Sequence, residues 1–269
     1  MRRIRLIVRL FGVAAVLLWG CFQVALFFGR EDKAKRQWRI QRWSRRCMKV
    51  FGTKLTVHGA ERFFAEGGQF MVGNHISWLD IFLINSVQAV RFVAKQEVRD
   101  WPVIGWLVAR VDTVFIKRGN RQSSQQVMDV LLQILAEKDY AVVFPEGTST
   151  DGHGIKPFKS GLFDTAIIAK QPVWPVLVYY PNEDGSPNTN MAYCGDTSLW
   201  ESFCRILPQK RSEGVLYFLE PIPPEGKTRQ ELCAAAQAQI AAKLAELRGL
   251  PPESVVEEKV PCLSGLNPL

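Results

Sequence analysis

His75 and Asp80 are the residues whose types and spacing most directly suggest acid–base chemistry. They stand in "NHISWLDIF" (residues 74–82), and His75 is one of three histidines in the 269-residue chain. Five residues of a straight α-helix turn through about 500°, which would leave the two side chains about 140° apart if both lay in mid-helix. We therefore expect His75 just before a helix and Asp80 in its first turn. The carboxylate can then hold one imidazole nitrogen and leave the other as a base.

A His–Asp pair of this kind is a general base without a nucleophile of its own. The Gly-x-Ser-x-Gly elbow of serine hydrolases is missing from the sequence, because "FKSGLF" around Ser160 lacks the first glycine. P-loop and dinucleotide-binding glycine patterns are missing as well. On spacing alone, His75 is also explained as a polar residue that caps the helix.

Two further segments have the composition of a site for an anionic ligand. The segment "VFIKRGNR" (114–121) predicts a strand that ends in Lys117, Arg118 and Arg121. The segment "FPEGTSTDG" (144–152) follows an apolar strand and supplies Glu146, hydroxyl groups and a tight turn. Strand ends of α/β sheets are where ligands bind. Taken singly, each segment is equally explained as a solvated turn or a strand stop.

The elements that must position these residues form an α/β pattern. We predict a mixed, mostly parallel central sheet flanked by helices over residues 53–250, followed by a loosely ordered tail at 251–269. The predicted strands are "KLTVHG", "QFMVGN", "VRFVAK", "VDTVFIKR", "YAVVFPEG", "VWPVLVYY" and "GVLYFLEPI". The predicted helices are "WLDIFLINSV", "SSQQVMDVLLQILAEK", "GLFDTAIIAK" and "RQELCAAAQAQIAAKLAEL".

Residues 1–52 predict a helical membrane anchor. Residues 10–29 carry no charge, and their length of about 30 Å as a helix matches the hydrocarbon thickness of a bilayer. A cleaved signal peptide is the alternative. Residues 33–51 predict a basic amphipathic helix that lies in the headgroup layer with Trp43 and its apolar neighbours inserted. The alternative is a solvated helix that packs on its own domain.

Charge and cysteine content narrow the class of protein. The formal net charge is +8, but thirteen of the 34 Lys and Arg residues fall within residues 1–49, so the rest of the chain is mildly acidic. This distribution favours a membrane surface over nucleic acid as the binding partner of the basic segment. The six cysteines form no CxxC pair and no zinc-ligand spacing, so we expect no metal site and interpret them as reduced.

Four segments together resemble a known family. In chain order, "NHISWLD", "VFIKR", "FPEGT" and "VWPV" resemble the four sequence blocks of the glycerolipid acyltransferases, best known as 1-acylglycerol-3-phosphate acyltransferases. The resemblance covers about residues 53–220. It implies an enzyme of the inner (cytoplasmic) membrane, with its catalytic domain on the cytoplasmic side. That enzyme would transfer a fatty acyl group, without a cofactor, from acyl-CoA or acyl-carrier protein to a lysolipid hydroxyl.

The resemblance also implies roles for single residues. His75 would deprotonate the acceptor hydroxyl while Asp80 orients the imidazole, so that the alkoxide attacks the thioester without an acyl-enzyme. Arg118 would hold the acceptor phosphate. The other residues that the resemblance places at the acceptor are Lys95, Lys117, Glu146, Gly147 and Thr148, with Pro175 setting the strand end beside them.

Two departures from the family pattern bear on the acceptor. Ser149 stands where the family often has Arg, and Lys117 stands where it often has Asp. We favour 1-acylglycerol-3-phosphate, which would give phosphatidate, because its phosphate monoester is best held by several cations. The alternative is a lyso-ornithine lipid with Glu146 and Asp151 beside its ammonium, since that subfamily resembles "EGTSTDG" more closely. From another class, the alternative is a non-catalytic membrane lipid-binding protein.

Overall fold

The computed structural model describes residues 1–63, 68–100, 103–111, 113–116 and 121–256, with the backbone alone at 62, 94, 95, 97, 116 and 121–124. These residues form one sheet of seven strands in the order β1-β7-β6-β2-β5-β3-β4. The strands are β1 (Thr53–His58), β2 (Phe70–Gly73), β3 (Arg91–Lys95), β4 (Val114–Ile116), β5 (Ala141–Val143), β6 (Val173–Tyr179) and β7 (Ser212–Phe218). Every neighbouring pair is parallel except β6 and β7. The predicted mixed, mostly parallel sheet is confirmed.

Helices cover both faces of this sheet. They are α1 (Arg2–Phe27), α2 (Lys33–Phe51), α3 (Ala60–Phe63), α4 (Leu79–Val87), α5 (Ile104–Arg110), α6 (Arg121–Ala136), α7 (Asp164–Ala169), α8 (Leu199–Ile206) and α9 (Arg229–Arg248). The sequence analysis did not predict α3, α5 and α8. These helices have four, seven and eight residues, and short helices show little periodicity. Helix α8 nevertheless has a start signal that the sequence analysis missed, the capping box of Ser198 and Glu201.

Strand β2 shows how the core is divided between the two faces. Phe70 and Val72 point to one face, where they join the apolar residues of α6, α7 and α9. Met71 points to the other face, which α4, α2 and α1 cover. All four residues of β2 are buried, as expected of a parallel strand covered on both faces. The loop that carries His75 therefore follows a fully buried strand of the sheet.

Helix α2 packs on α1 and the folded domain rather than presenting its apolar residues outward. The Trp43 indole N–H donates to the carbonyl of Val16 at 2.8 Å. A Cβ added to Gly20 would lie 2.8 Å from Trp43 Nε1, so a glycine in α1 leaves the space that the indole occupies. The Trp43 ring therefore lies against α1 and not on the outer face of α2, in contrast to the expected insertion of this side chain, while the position of α2 in the headgroup layer stays a prediction. The physical reason is that α1 supplies an apolar partner close at hand.

Helix α1 starts earlier than the predicted segment 10–29 and lies along the domain. The guanidinium of Arg5 donates to Pro208 O at 2.7 Å, and Arg9 donates to two further carbonyls of the same loop. At the other end of α1, the guanidinium of Arg39 lies 4.1 Å from the Phe27 ring centroid. Helix α1 is thus in contact with the rest of the chain over nearly all of its length.

One face of α1 is left exposed and apolar. We call it the α1 stripe, and its large residues are Ile4, Ile7, Val8, Phe11, Leu18, Trp19, Phe22 and Leu26. By length and composition, α1 could cross a membrane. A spanning α1 would carry the cations of α2 into the hydrocarbon beside it, which is costly. We therefore expect α1 to lie in one leaflet with the α1 stripe facing lipid.

The cysteines differ in part from the expectation that all are reduced. Cys21, Cys47, Cys204 and Cys233 are free thiols, whereas Cys194 is disulfide-bonded. Sequence spacing identifies pairs that are close along the chain and carries no information on cysteines that the fold brings together.

We predict that changing Phe11 and Phe22 together to Asp weakens binding to phospholipid vesicles by at least about tenfold, because each buried Phe contributes about 1.5–3 kcal/mol. The two side chains are 74% and 47% exposed, so the midpoint of thermal unfolding should stay where it is. Vesicle sedimentation and circular dichroism measure the two effects. The matched control is Val13→Asp, which faces the core and should lower the midpoint. Unchanged sedimentation of the Phe11/Phe22 variant would show that the α1 stripe does not face lipid.

Candidate active site

The carboxyl ends of β2, β5 and β6 meet at one edge of the sheet. Strand β2 is parallel to both β5 and β6, so the loops that follow the three strands start side by side. The loop after β2 carries His75, and the loop after β5 carries Glu146. The fold thus brings together two sequence-predicted residues that are 71 positions apart.

His75 lies before α4, and Asp80 lies in the first turn of that helix. The Asp80 Oδ2 atom is 2.7 Å from His75 Nδ1, and it also accepts the backbone N–H groups of Ile76 at 2.8 Å and Ser77 at 3.0 Å. A carboxylate oxygen accepts, so Nδ1 carries the proton and Nε2 presents a lone pair. The His75 side chain is 24% exposed and that of Asp80 is fully buried. This arrangement gives a fixed imidazole with one accessible basic nitrogen.

Tyr180 completes the set of donors around Asp80. Its hydroxyl donates to Asp80 Oδ1 at 2.7 Å. Burial, followed by the charge of Asp80, raises the pKa of Tyr180 well above its usual value, so the phenol remains a donor. Sequence reasoning missed this residue. Tyr180 follows β6 one hundred positions after Asp80, and nothing in the local sequence marks it.

Asn74 and Phe144 hold the His75 loop in place. The Asn74 side chain donates to Val178 O at 3.0 Å and accepts from Val178 N at 2.7 Å, which extends the β2–β6 hydrogen bonding beyond the end of β2. The Phe144 ring stacks on the imidazole of His75 with centroids 4.2 Å apart and planes 11° apart. Both residues fall inside segments that the sequence analysis singled out, yet neither had been given a role.

Glu146 also supports the His75 loop. Its Oε1 accepts the backbone N–H of His75 at 2.7 Å, and its Oε2 accepts the backbone N–H of Lys156 at 2.8 Å. Burial raises the pKa of Glu146 to about 8, although these two hydrogen bonds act in the opposite direction. At neutral pH the group is therefore mostly the neutral acid. It braces the loop without placing a second full negative charge beside Asp80.

Gly147 leaves room for a cation that sequence reasoning missed. Its φ is +73°, and a Cβ at this position would lie 2.9 Å from Lys159 Nζ. Thr148 is exposed in the same turn. Among the described residues, no carboxylate pairs with Lys159, whose ammonium therefore remains available at the rim of the site.

Ser149 and Asp151 are engaged with their own surroundings. The Ser149 hydroxyl donates to the carbonyl of Tyr193. Asp151 is 4% exposed, and it accepts the backbone N–H of His153 at 3.0 Å and lies 3.3 Å from His153 Nδ1. Both oxygens of Asp151 thus have partners within its own loop. This geometry does not support the expectation that Asp151 binds an acceptor ammonium.

For three of the residues predicted to bind the acceptor, the structure does not describe the side chain. Lys117 and Arg118 lie outside the described residues. Lys95 ends β3, where its backbone pairs with Ile116, but its side chain is also outside the description. Pro175 lies inside β6 opposite Val72, so the expectation that it sets the strand end is wrong. The end of β6 that faces the site is formed by Val178 and the residues after it.

The chain is similar to several known proteins. A profile of the Acyltransferase family matches residues 54–179. The chain is 34% identical over 251 residues to a lyso-ornithine lipid O-acyltransferase from Pseudomonas aeruginosa, covering 91% of this chain and 95% of that protein. It is 32% identical to a lyso-ornithine lipid O-acyltransferase from Rhodobacter capsulatus, covering 72% of this chain and 71% of that protein.

A second group of relatives has a different acceptor in its name. The chain is 35% identical over 144 residues to a 1-acyl-sn-glycerol-3-phosphate acyltransferase from Neisseria gonorrhoeae, covering 54% of this chain and 56% of that protein. The fold matches the crystal structure of the 1-acyl-sn-glycerophosphate acyltransferase PlsC from Thermotoga maritima, with a TM-score of 0.69 over 92% of this chain and 98% of that one. At 21% identity, this match shows the fold alone. Because the Pseudomonas relative is aligned over nearly its whole length, the chain belongs to the acyltransferase family.

Proposed function

We propose that this acyltransferase transfers a fatty acyl group from a thioester donor to the hydroxyl of a lyso-ornithine lipid, with His75 as general base. The observation that carries the chemistry is the 2.7 Å contact between His75 Nδ1 and Asp80 Oδ2. This contact leaves the lone pair of Nε2 free on a partly exposed imidazole. No serine, threonine or cysteine side chain of the described residues hydrogen-bonds to Nε2, so the nucleophile comes from the substrate.

The reaction follows from the orientation of the imidazole. Nε2 takes the proton of the acceptor hydroxyl as the hydroxyl oxygen attacks the thioester carbonyl carbon. The tetrahedral intermediate then expels the thiolate, which takes the proton back from the imidazolium. The ester C–O bond replaces the thioester C–S bond. Asp80 stabilises the imidazolium that forms in between, and the Phe144 ring keeps the imidazole plane fixed.

The acceptor is the part of the proposal on which the relatives bear most. Of the relatives matched by sequence that are named above, those aligned over more than two thirds of their length are lyso-ornithine lipid O-acyltransferases. Ser149, which replaces the Arg often found there, is bonded to a backbone carbonyl. Lys159 is one cation at the rim, which suits the single carboxylate of an ornithine head group. These observations favour lyso-ornithine lipid over the lysophosphatidate that the sequence analysis preferred.

Lysophosphatidate remains the second candidate because of the relative from Neisseria gonorrhoeae. The preference for it rested on Lys117 and Arg118, both of which lie outside the described residues. The donor is acyl-CoA or acyl-carrier protein, since both present a thioester. Both donors are soluble cytoplasmic molecules, which is why we place the catalytic domain at the cytoplasmic face of the inner membrane.

We predict that His75→Gln lowers kcat by roughly 10²- to 10⁴-fold, the range expected when a general base is removed. Gln keeps a polar side chain of similar reach, so the fold and vesicle binding should be preserved. Product formation is measured with purified protein by mass spectrometry. Normal turnover by the folded variant would exclude His75 as the base.

Tyr180→Phe should lower kcat by about tenfold, because it removes one charge-assisted hydrogen bond, typically about 1.5–3 kcal/mol, from the carboxylate that orients His75. The KM for both substrates should stay unchanged, since Tyr180 is buried and touches neither. Steady-state kinetics separate the two parameters. Tyr179→Phe is the matched control because its hydroxyl donates to Gly185 O, away from Asp80. Equal kinetic losses in both variants would contradict a positioning role for Tyr180.

The acceptor is tested with a panel of lysolipids and both donors. We expect acyl transfer to lyso-ornithine lipid to exceed transfer to lysophosphatidate by at least about tenfold in kcat/KM, a difference on the order of 1.4 kcal/mol. Lys159→Gln should raise the KM for the preferred acceptor, whereas Lys170→Gln, an exposed lysine at the end of α7, should not. Transfer to lysophosphatidate alone would overturn the choice of acceptor and leave the His75 mechanism intact.

A further inference from the structure

The outward face of α2 carries a cationic groove that is separate from the site around His75. We call it the α2 groove, and its volume is about 330 Å³. It is lined by Trp38, Gln41, Arg42, Arg45, Arg46 and Lys49. These residues recur every three or four positions, so they form one face of the helix. The volume falls within the range of small-molecule sites, about 300–1,000 Å³.

Most cations in the first half of α2 form an ion pair within the protein, whereas the cations of the α2 groove form none among the described residues. The first half of the helix is paired within the protein through Lys33 with Asp139, Lys35 with Asp32, and Arg39 with Glu31. Among the residues that the structure describes, no carboxylate lies within 4 Å of the charged groups of Arg42, Arg46 or Lys49. Like charges on neighbouring turns repel one another, so the α2 groove favours an anion from outside the chain.

The position of the α2 groove indicates where that anion comes from. The guanidinium of Arg46 lies 5.9 Å from the ring centroid of Trp19, a residue of the exposed α1 stripe. At the other end, Arg42 lies 5.0 Å from the ring centroid of Trp38, which is 53% exposed. Tryptophan and arginine beside an exposed apolar surface are typical of the membrane–water interface. If the α1 stripe faces lipid, the α2 groove lies at the depth of the lipid phosphates.

We propose that the α2 groove binds the headgroup phosphate of one anionic phospholipid molecule that is neither acyl donor nor acceptor. Arginine guanidinium groups match phosphate oxygens two at a time, and Lys49 adds a further charge. A zwitterionic head group would bring its own cation next to four cations of the protein and would bind more weakly.

The α2 groove is distinct from the catalytic site because α4 separates them. Arg45 donates to the carbonyl of Ser86 at 2.7 Å, near the end of α4, whereas Asp80 lies in its first turn. The six-residue separation is about 9 Å along the helix axis. Binding in the α2 groove is therefore independent of which lysolipid is the acceptor.

The test uses the triple variant Arg42→Gln/Arg46→Gln/Lys49→Gln of the full chain in a neutral detergent. Arg45 is kept because its Nε supports α4. The purified protein is titrated with short-chain phosphatidylglycerol in mixed micelles by calorimetry. We expect saturable binding by the unmodified chain and a loss of affinity of about tenfold or more in the triple variant, as for removal of charged hydrogen bonds. Turnover of detergent-dispersed substrates should be unchanged.

The matched control is Lys170→Gln/Lys227→Gln/Lys243→Gln, which removes the same charge from other elements and should keep the affinity of the unmodified chain. Phosphatidylcholine and inorganic phosphate are titrated in parallel, and both should bind more weakly than phosphatidylglycerol. Equal binding of phosphatidylcholine, equal binding of inorganic phosphate, or an equal loss in the control triple would each overturn the proposal. So would saturable binding of acyl-carrier protein to the α2 groove in place of lipid. The measurement needs no acyl transfer, so it stands apart from the proposed reaction.

Discussion

The buried carboxylate of Asp80 is the constraint on which the arrangement of the active site depends. Its two oxygens face four donors: the His75 imidazole, two backbone N–H groups and the Tyr180 hydroxyl. This number of donors satisfies an ionised carboxylate. Two of the donors are backbone groups at the start of α4, where a helix has N–H groups without partners. The loop conformation that satisfies Asp80 is the same one that leaves the His75 side chain partly exposed.

Asp80 and Glu146 are both buried, and two buried carboxylates near each other would repel. The two side chains lie in different environments, so only one of them needs to be ionised. Asp80 has four donors, one of them a side chain that can become positively charged during the reaction. Glu146 has two backbone donors, and burial raises its pKa to about 8. In the proposed reaction, one group therefore stabilises the charge that would develop on His75, while the other binds the backbone as a neutral acid. The same residue type serves two purposes because the surroundings differ.

Much of the sheet could be predicted from the sequence, because the strands of a covered parallel sheet are short apolar runs that turn residues interrupt. The placement of His75 before α4 also followed from spacing, since helical geometry permits few other contacts between residues five apart. Tyr180, Asn74 and Lys159 could not be placed in this way. Their positions depend on which strands become neighbours, and on the absence of a side chain at Gly147. Local pattern does not contain that information.

The packing of Trp78 connects the dyad to helices α2 and α1. Trp78 precedes α4, and its ring packs edge-on against Phe51 of α2 at 5.2 Å between centroids, while its N–H donates to Ser202 Oγ at 2.9 Å. Helix α2 in turn packs on α1, whose outer face is the α1 stripe. Because protein interiors are close-packed and hardly compressible, the position of one helix fixes that of the helix packed on it. If the α1 stripe lies in one leaflet, the height of His75 above the lipid is set by the stack of α1, α2 and α4. Such a stack would hold the base at the level where a lysolipid, anchored by its own acyl chain, presents its hydroxyl.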